Sequence, residues 1–390
     1  MAGTTHFAYF VSAHGFGHAA RAAAIVEALG RRFPHFEVEL WTSVPVWFFE
    51  ESLTVPFSYH SFQCDVGLVQ KSPVEEDLAA TLVALDAFWT VADRFRTQEV
   101  AAALVASGAD CILCDIAPFG LDVARRAGLA SVLIENFTWD WIYAPFAAAE
   151  PRFASWVDRL RAKFGQADLH LQLEPVCRPV AGAVQIPRVA RAPRRNRAQT
   201  FERLGISGGD GLVLVSLGGV EHRLANLGRM TGFPHTTFVV PGASVDEKWE
   251  GNLRLLPHHS PIYHPDLVSA ADVVVGKLGY STVAEAVAAG TRMLYVPRPG
   301  FREAEVLERY VLERLPAQAI TLRELASGEW VERLPALVAQ PRPAAESSAS
   351  SAVDEGSDFA AARIAAWWRQ RSSKTAKLPG PLQKLPTPGT

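Results

Sequence analysis

The sequence is poor in cysteine and has no long apolar runs. Four cysteines in 390 residues are too few for the disulfide framework of a secreted chain. Cys111 and Cys114 lie in an apolar run, where a strand would turn them to opposite faces, so we expect neither a zinc nor a redox site there. No apolar run approaches the ~18 residues of a membrane span, and no basic segment followed by an apolar core opens the chain. These absences predict a reduced, soluble, cytoplasmic protein.

A strong excess of charge is also lacking. The net charge of -3 gives no electrostatic footprint for nucleic acid, so we expect no nucleic-acid partner. The metal-binding patterns Asp-x-Asp and His-Glu-x-x-His do not occur, so we expect no metal site and no bound cofactor. What the chain does have is length and apolar residues, 49% of the total, which is enough for two domains of ordinary size.

Short apolar runs alternate with helical stripes along most of the chain. This alternation predicts an α/β protein with parallel sheets that are covered on both faces. A shift to proline and arginine marks a linker, whose charge we expect to be solvated. The predicted parts are an amino-terminal Rossmann-like domain over residues 1–178, a linker over 179–200, a carboxy-terminal Rossmann-like domain over 201–371 and a loose tail over 372–390.

The stretch 276–299 is typical of a strand, a glycine loop and a helix. A helix amino-terminus leaves about four N–H groups unpaired and carries about half a positive charge, so it suits a phosphate group. Gly276 and Gly279 would let the backbone approach a ligand closely, and Lys277 could add a mobile positive charge. This loop is therefore a candidate phosphate site.

The helix of this stretch is expected to begin at Ser281 or Thr282. Glu285 follows Thr282 by three residues, and two interpretations stay open. Its carboxylate could hold both hydroxyls of a ribose, or it could close a capping box with Thr282. Gly218 and Gly219 follow a predicted strand in the same half and offer a second place where backbone can approach a ligand.

Two histidines follow the first predicted strand. His14 and His18 are four residues apart, and His18 begins a helix. An unperturbed histidine titrates near pH 6.5, so it can accept a proton at neutral pH, and a carboxylate on its second nitrogen would hold the ring. Asp115, at the end of a neighbouring strand, is the candidate carboxylate; alternatively, both residues merely cap helices. The loop also fits the dinucleotide fingerprint over 15–20, which would indicate a nicotinamide-dependent enzyme.

A polar and aromatic run over 135–141 comes at the end of a predicted strand, where open sheets bind ligands. Its tryptophans could stack on a sugar or an acceptor, or simply pack between elements. This run is one of several short motifs along the chain that can be considered together as one pattern. The residues of that pattern are His14 to Ala19, Arg21, Asp65, Gly67, Gln70, Asn136-Phe137, Trp139-Asp140, Ile142-Tyr143, Pro265-Asp266-Leu267, Ala271-Asp272, Gly276-Lys277, Gly279-Tyr280, Thr282-Val283, Glu285-Ala286, Phe301 and Glu303.

In combination these motifs resemble the GT-B glycosyltransferases, and most closely the amino-terminal glycosyltransferase-like region of L-arabinokinases, over about residues 5–330. The resemblance implies the GT-B fold, in which two doubly wound Rossmann-like domains face a cleft and the carboxy-terminal one binds most of a nucleotide sugar. The kinase domain for which L-arabinokinases are named has no counterpart here, so kinase activity is not expected.

The resemblance also implies roles for particular residues. Gly17-His18 matches a pair whose histidine is the base in plant-type transferases, supported by an aspartate where this chain has Asp115. Thr282 and Glu285 match positions that hold phosphate and ribose. Glu303 falls where many relatives grip the donor sugar with an acid-glutamine pair, although no glutamine follows it. Contacts to the donor sugar or acceptor are expected from His14, Gly17, Asp65, Gln70, Asn136, Trp139, Asp140 and Glu303.

These expectations combine into one predicted activity. The chain is expected to be an inverting, metal-independent glycosyltransferase that moves a sugar from a nucleotide-diphosphate sugar to a hydroxyl of a small-molecule or glycan acceptor. Two alternatives stay open: a non-catalytic or regulatory module that binds sugar nucleotides, and a GT-B nucleotide-sugar 2-epimerase. The nucleotide base, the sugar, the acceptor and the oligomeric state are left open.

Overall fold

A computed structural model of the protein describes residues 4–72, 75–207, 209–216, 228–345 and 354–375. In these ranges the strands form two seven-stranded sheets and a small two-stranded ribbon. Each large sheet belongs to its own lobe and carries apolar cores on both faces. The prediction of an α/β protein with two doubly wound halves is confirmed.

The amino-terminal lobe contains the first sheet, with strand order β3-β2-β1-β6-β7-β8-β9 and every pair parallel. A π-helical turn at Ala92–Arg96 joins α3 to α4. Its elements are β1 (Thr5–Val11), α1 (Phe16–Arg32), β2 (Phe36–Thr42), α2 (Val46–Ser52), β3 (Ser58–Ser61), β4 (Gln70–Ser72), β5 (Glu75–Glu76), α3 (Leu78–Val91), α4 (Thr97–Ser107), β6 (Cys111–Asp115), α5 (Pro118–Ala127), β7 (Ala130–Glu135), α6 (Trp139–Tyr143), α7 (Arg152–Phe164), β8 (Leu169–Leu173) and β9 (Val184–Ile186).

The carboxy-terminal lobe contains the second sheet, with strand order β12-β13-β11-β10-β14-β15-β16, in which β12 alone is antiparallel to its neighbour. Its elements and the final helix are α8 (Arg197–Leu204), β10 (Gly211–Ser216), α9 (Gly228–Thr231), β11 (Thr236–Pro241), β12 (Lys248–Glu250), β13 (Leu253–Leu256), α10 (His264–Ala270), β14 (Val273–Lys277), α11 (Tyr280–Ala289), β15 (Arg292–Val296), α12 (Ala304–Arg314), β16 (Ala317–Ala319), α13 (Leu322–Ser327), α14 (Leu334–Val338) and α15 (Glu355–Thr375).

The strand order places a crevice in each lobe. In the first sheet β1 lies between β2 and β6, and in the second β10 lies between β11 and β14. The chain reverses its winding direction at such points, so the loops that follow the flanking strands diverge and open a crevice at the carboxyl ends of the strands. The loops after β1, β6 and β14 are thereby brought to the cleft side of their sheets.

The last helix, α15, packs on the amino-terminal lobe. Ala361 and Ile364 are fully buried in the same core as Phe7 and Ile25, and the Trp368 ring lies 6.4 Å from that of Phe7. Residues up to 371 were expected to belong to the second domain, whereas α15 packs on the first. An apolar stripe shows that a helix needs a partner surface, but it does not say which lobe supplies that surface.

The predicted linker over 179–200 is not a solvated connection throughout. Its residues 184–186 form β9 of the first sheet, and Arg188 and Arg191 are buried. Arg188 donates to Asp354 over 2.9 Å, just ahead of α15. The expectation that the linker charge is solvated is therefore wrong for these two arginines, because burial of a charged group requires a partner.

The docking of α15 gives the first testable prediction. A Cβ atom on Gly356 would lie 1.9 Å from the carbonyl oxygen of Arg188, and backbone cannot yield as a flexible side chain can. We expect Gly356→Ala to lower the free energy of unfolding by about 3 kcal/mol. Gly232→Ala is the control, because a Cβ there meets nothing within 4 Å. Urea denaturation of both variants checks this, and equal stabilities would contradict the packing.

Candidate active site

His18 and Asp115 meet at the crevice of the first sheet. Parallel pairing puts Val11, the last residue of β1, beside Asp115, the last of β6, and His18 stands in the first turn of α1. His18 Nδ1 lies 2.8 Å from Asp115 Oδ1, and both side chains are buried. Because a carboxylate can only accept, Nδ1 carries the proton and Nε2 of the neutral ring is left as an acceptor.

Arg21 fixes Asp115 from the second turn of α1. Its Nε donates to Oδ2 over 2.6 Å, its Nη2 donates to Oδ1 over 2.5 Å, and its Nη1 donates to Asn136 Oδ1. Burial raises the pKa of Asp115, but the charges and hydrogen bonds of Arg21 and His18 lower it by more than burial raises it. The net pKa therefore lies below the usual value. Asp115 is thus held as a charged carboxylate.

Asn136, which was predicted to contact the donor sugar or acceptor, supports Arg21 in this structure. Its Oδ1 accepts from Arg21, and its Nδ2 donates to the carbonyl of Leu173 over 2.6 Å. Arg21 is part of the sequence pattern described above, but no role was predicted for it. The spacing of His18 and Arg21, one helical turn apart, was the signal that could have placed both side chains on Asp115.

The amino end of α11 faces the same cleft from the other lobe. The helix begins at Tyr280 with Gly279 as its N-cap and has no side-chain cap, so the capping box at Thr282 is not formed. Its first N–H groups are thus left for other partners. A Cβ atom on Gly17 would lie 3.8 Å from the backbone nitrogen of Ser281, which shows how closely α1 and α11 approach.

Lys277 is the last residue of β14. Burial and, to a lesser extent, the charge of Arg298 lower its pKa, Glu303 opposes both, and the resulting pKa is about 8. Gly276 is buried inside β14, between Ser216 of β10 and Tyr295 of β15. It is therefore part of the sheet, whereas the predicted loop contact is possible for Gly279.

We name the large cavity between the lobes the His18 cavity. It brings together several of the residues predicted for base, phosphate and sugar. Burial raises the pKa of Glu303, and its Oε2 has no hydrogen-bond partner in the described part of the chain. The residues of this cavity that matter here are His14, Gly17, His18, Gln70, Lys277, Gly279, Ser281, Thr282, Arg298 and Glu303.

His14 is a neutral wall of this cavity. Burial, with the nearby charges of His18, Arg298 and Lys277, lowers its pKa to about 3. A Cβ atom on Gly67 would lie 2.3 Å from His14 Nδ1, so the glycine makes room for the ring. His14 can therefore donate or accept a hydrogen bond without adding charge.

Three residues expected to touch substrate lie behind the cavity wall instead. Trp139 Nε1 donates to Asp65 Oδ2 over 2.8 Å, and burial raises the pKa of Asp65 to about 6. Asp140 is fully buried and accepts from Arg178 over 3.0 Å. None of Asp65, Trp139 and Asp140 is among the described residues that line the His18 cavity. They are bound to protein partners, which the sequence pattern could not show.

A second cavity, here the His264 cavity, adjoins the first at α11. Both cavities are lined by Phe16, Ser281 and Thr282. The second also takes in the carboxyl ends of β10 and β11 and residues of both lobes. Its lining includes Trp47, Phe48, Glu51, Arg191, Ser216, His258 and His264.

Glu285, predicted to hold a ribose, is already engaged. Its Oε1 accepts from Arg191 Nε over 3.0 Å, and its Oε2 accepts from His264 Nδ1 over 3.1 Å. Burial raises the pKa of Glu285, but Arg191 and His264 lower it to a net value below the usual one. The carboxylate is buried and does not line the His264 cavity in the described part of the chain. It orients Arg191 and His264; the capping box with Thr282 is not formed, and the ribose contact stays a prediction.

Three further points concern the second glycine pair, metal sites and membrane spans. Gly218 and Gly219 lie outside the described residues. Within the ranges that the structure covers, no three His, Cys, Asp or Glu side chains are grouped as a metal ion requires. The helices of those ranges are too short or too polar to cross a bilayer.

The sequence is similar to that of a known protein over most of its length. It is 28% identical to L-arabinokinase of Arabidopsis thaliana over 334 residues, which make up 84% of the chain and 32% of that protein. The chain therefore spans about a third of the length of this curated relative. No family model matches the chain.

Solved structures match both lobes together. The calicheamicin glycosyltransferase has a TM-score of 0.58 at 16% identity, with 97% of this chain and 100% of that one covered. The chain has the GT-B fold. A UGT from Siraitia grosvenorii in complex with UDP has a TM-score of 0.55 at 14% identity. The match covers 94% of this chain and 100% of that one. The GT-B fold was expected from the sequence motifs, and the likeness of the structures confirms it.

Proposed function

We propose that this GT-B protein is an inverting glycosyltransferase that takes its sugar from a nucleotide-diphosphate sugar. One observation carries the proposal: His18, which is held by Asp115, and the amino end of α11 line one cavity from opposite lobes. A proton acceptor thereby faces a site suited to a leaving diphosphate. Support also comes from the neighbours in structure, which include a UGT in complex with UDP.

In this mechanism His18 acts as the general base. Its Nε2 takes the proton of the acceptor hydroxyl while the hydroxyl oxygen forms a bond to the anomeric carbon of the sugar. The bond from that carbon to the diphosphate oxygen breaks, and its electron pair leaves with the diphosphate. Attack from the side opposite the leaving group inverts the anomeric centre. Asp115 holds the ring and stabilises the imidazolium that forms.

The departing diphosphate is met by protein groups in this proposal. The first N–H groups of α11 and the ammonium of Lys277 supply positive charge where negative charge develops, so the mechanism requires no metal ion. Glu303, which lines the same cavity and has one carboxylate oxygen without a hydrogen-bond partner in the described part of the chain, would accept from a hydroxyl of the donor sugar. The adjoining His264 cavity then receives the nucleoside.

A donor and acceptor panel tests the proposal. The protein is incubated with nucleotide sugars and hydroxyl acceptors, and nucleoside diphosphate release is measured together with the anomeric configuration of the product. We expect diphosphate release coupled to a product of inverted configuration, unaffected by a metal chelator. Binding of nucleotide sugars without transfer or hydrolysis would indicate a binding module, and consumption of donor with an epimeric product would indicate a 2-epimerase; either result rejects the transferase.

The pKa of Lys277 gives a second prediction. Because this pKa is about 8 in the free protein, the side chain is charged below pH 8 and neutral above it. We expect the affinity for UDP to fall as the pH rises from 7 to 9, since the ammonium is lost. Lys277→Met removes this dependence, and uridine, which has no phosphate, shows none in the wild type. Isothermal titration calorimetry at both pH values checks it; a parallel fall in the variant would assign the effect elsewhere.

A further inference from the structure

Glu51 is a carboxylate without a visible structural purpose. It stands in the last turn of α2, where the negative end of the helix dipole disfavours an acidic side chain. It lines the His264 cavity, and burial raises its pKa despite the positive charges nearby. In the described part of the chain no hydrogen bond or ion pair reaches its carboxylate. Its position is therefore costly to the fold as it stands.

The cations around Glu51 are bound to other groups. Arg191 donates through Nε to Glu285 and through Nη1 to Ser52 Oγ over 3.0 Å. Arg194 donates to the backbone carbonyls of Glu51 and Ser52 rather than to the carboxylate. These contacts join the end of α2 to the linker and to α11, and they leave the carboxylate of Glu51, a residue that lines the cavity, without a hydrogen bond in the described part of the chain.

The groups on the opposite wall are also satisfied. His264 binds Glu285 through Nδ1 and Ser216 Oγ through Nε2, each over 3.1 Å. Glu285 is buried, binds Arg191 and His264, and is not among the described residues that line this cavity. Among the described residues that line this cavity, Glu51 is the acidic one.

We infer that Glu51 holds the ribose of the nucleotide, with the two vicinal hydroxyls donating to its carboxylate from across the cleft. This inference rests on the proposed function, because a diphosphate at the amino end of α11 places the nucleoside in the His264 cavity. Vicinal hydroxyls offer two donors side by side, which matches the paired acceptors of a carboxylate. Both lobes then hold the donor: α11 the diphosphate, and α2 the sugar of the nucleoside.

The discrimination between ribose and deoxyribose tests this role. Dissociation constants are measured by calorimetry for UDP, GDP, ADP and CDP and for their 2′-deoxy counterparts, with wild type and Glu51→Ala. We expect the wild type to prefer the best ribonucleotide about 10-fold or more, the loss expected of one charge-assisted hydrogen bond. Glu51→Ala removes the preference by weakening the ribonucleotide alone.

Two further variants separate this role from a structural one. Glu50→Ala changes the exposed neighbour on the same helix and should keep the preference. Glu285→Gln should lower stability, because it removes the charge opposite Arg191, and should also keep the preference. A preference that survives Glu51→Ala, or a wild type without one, overturns the inference and leaves the proposed function standing. Failure of all the nucleotides to bind overturns both.

Discussion

Replacement of His18 by alanine is expected to lower turnover by about 100-fold to 10,000-fold, the range of a positioned general base. Nucleotide affinity should stay within about twofold of the wild type, because His18 lines the His18 cavity and not the His264 cavity. The physical reason is that without Nε2 the acceptor hydroxyl keeps its proton and attacks only weakly. Steady-state kinetics with a donor found in the panel, together with calorimetric titration of UDP, measure both quantities.

Two further variants test whether the loss of turnover is specific to the base. His35→Ala alters an exposed histidine of the same lobe and should leave turnover unchanged. Asp115→Asn should lower turnover while sparing nucleotide affinity, since the amide no longer stabilises the imidazolium. If His18→Ala turned over at the wild-type rate, the assignment of the base would be wrong even with transfer established.

Arg21 is expected to dominate the stability of the site. Its removal leaves the fully buried Asp115 with His18 as its remaining side-chain partner, and breaking one half of a buried ion pair costs about 3 to 5 kcal/mol. We therefore expect Arg21→Met to lower the free energy of unfolding by that amount. Arg363→Met, at an exposed position of α15, should change it by no more than about 0.5 kcal/mol. Urea denaturation measures both.

The double variant isolates the cause. With Asp115→Asn added to Arg21→Met, no uncompensated charge is left in the interior, and we expect at least about 1 kcal/mol of the lost stability to return. Additive losses in the two single variants would mean that Arg21 contributes through packing of its aliphatic stem instead.

Much of the fold could be predicted because it depends on local patterns. Apolar runs and helical stripes predicted the alternation of strands and helices, which the two seven-stranded sheets and their helices show. The glycine loop before α11 was predicted for the same reason, since a strand, a turn and a helix start each have a local signature. The place of α15 could not be predicted, because its partner surface is formed mainly by α1, more than 300 positions earlier in the chain.

The candidate site divides in the same way. Residue types and spacing selected His18, Asp115, Lys277 and Glu303, which the structure brings to one region around the cleft. The same patterns assigned Glu285 to the ribose, but its partner Arg191 is 94 residues away in the chain. A pattern shows which groups a residue can bind, and it cannot show that another side chain is bound there already.

The sequence by itself therefore determined the two α/β halves, the loop with His14 and His18, and the glycine loop before α11, because periodicity, glycine and helix ends act over a few residues. Only the tertiary structure decided that Arg21 holds Asp115, that Glu285 binds Arg191 and His264, and that Glu51 lines a cavity. These are pairings between distant segments. They are fixed by the burial of charged groups, which must find partners wherever packing brings them.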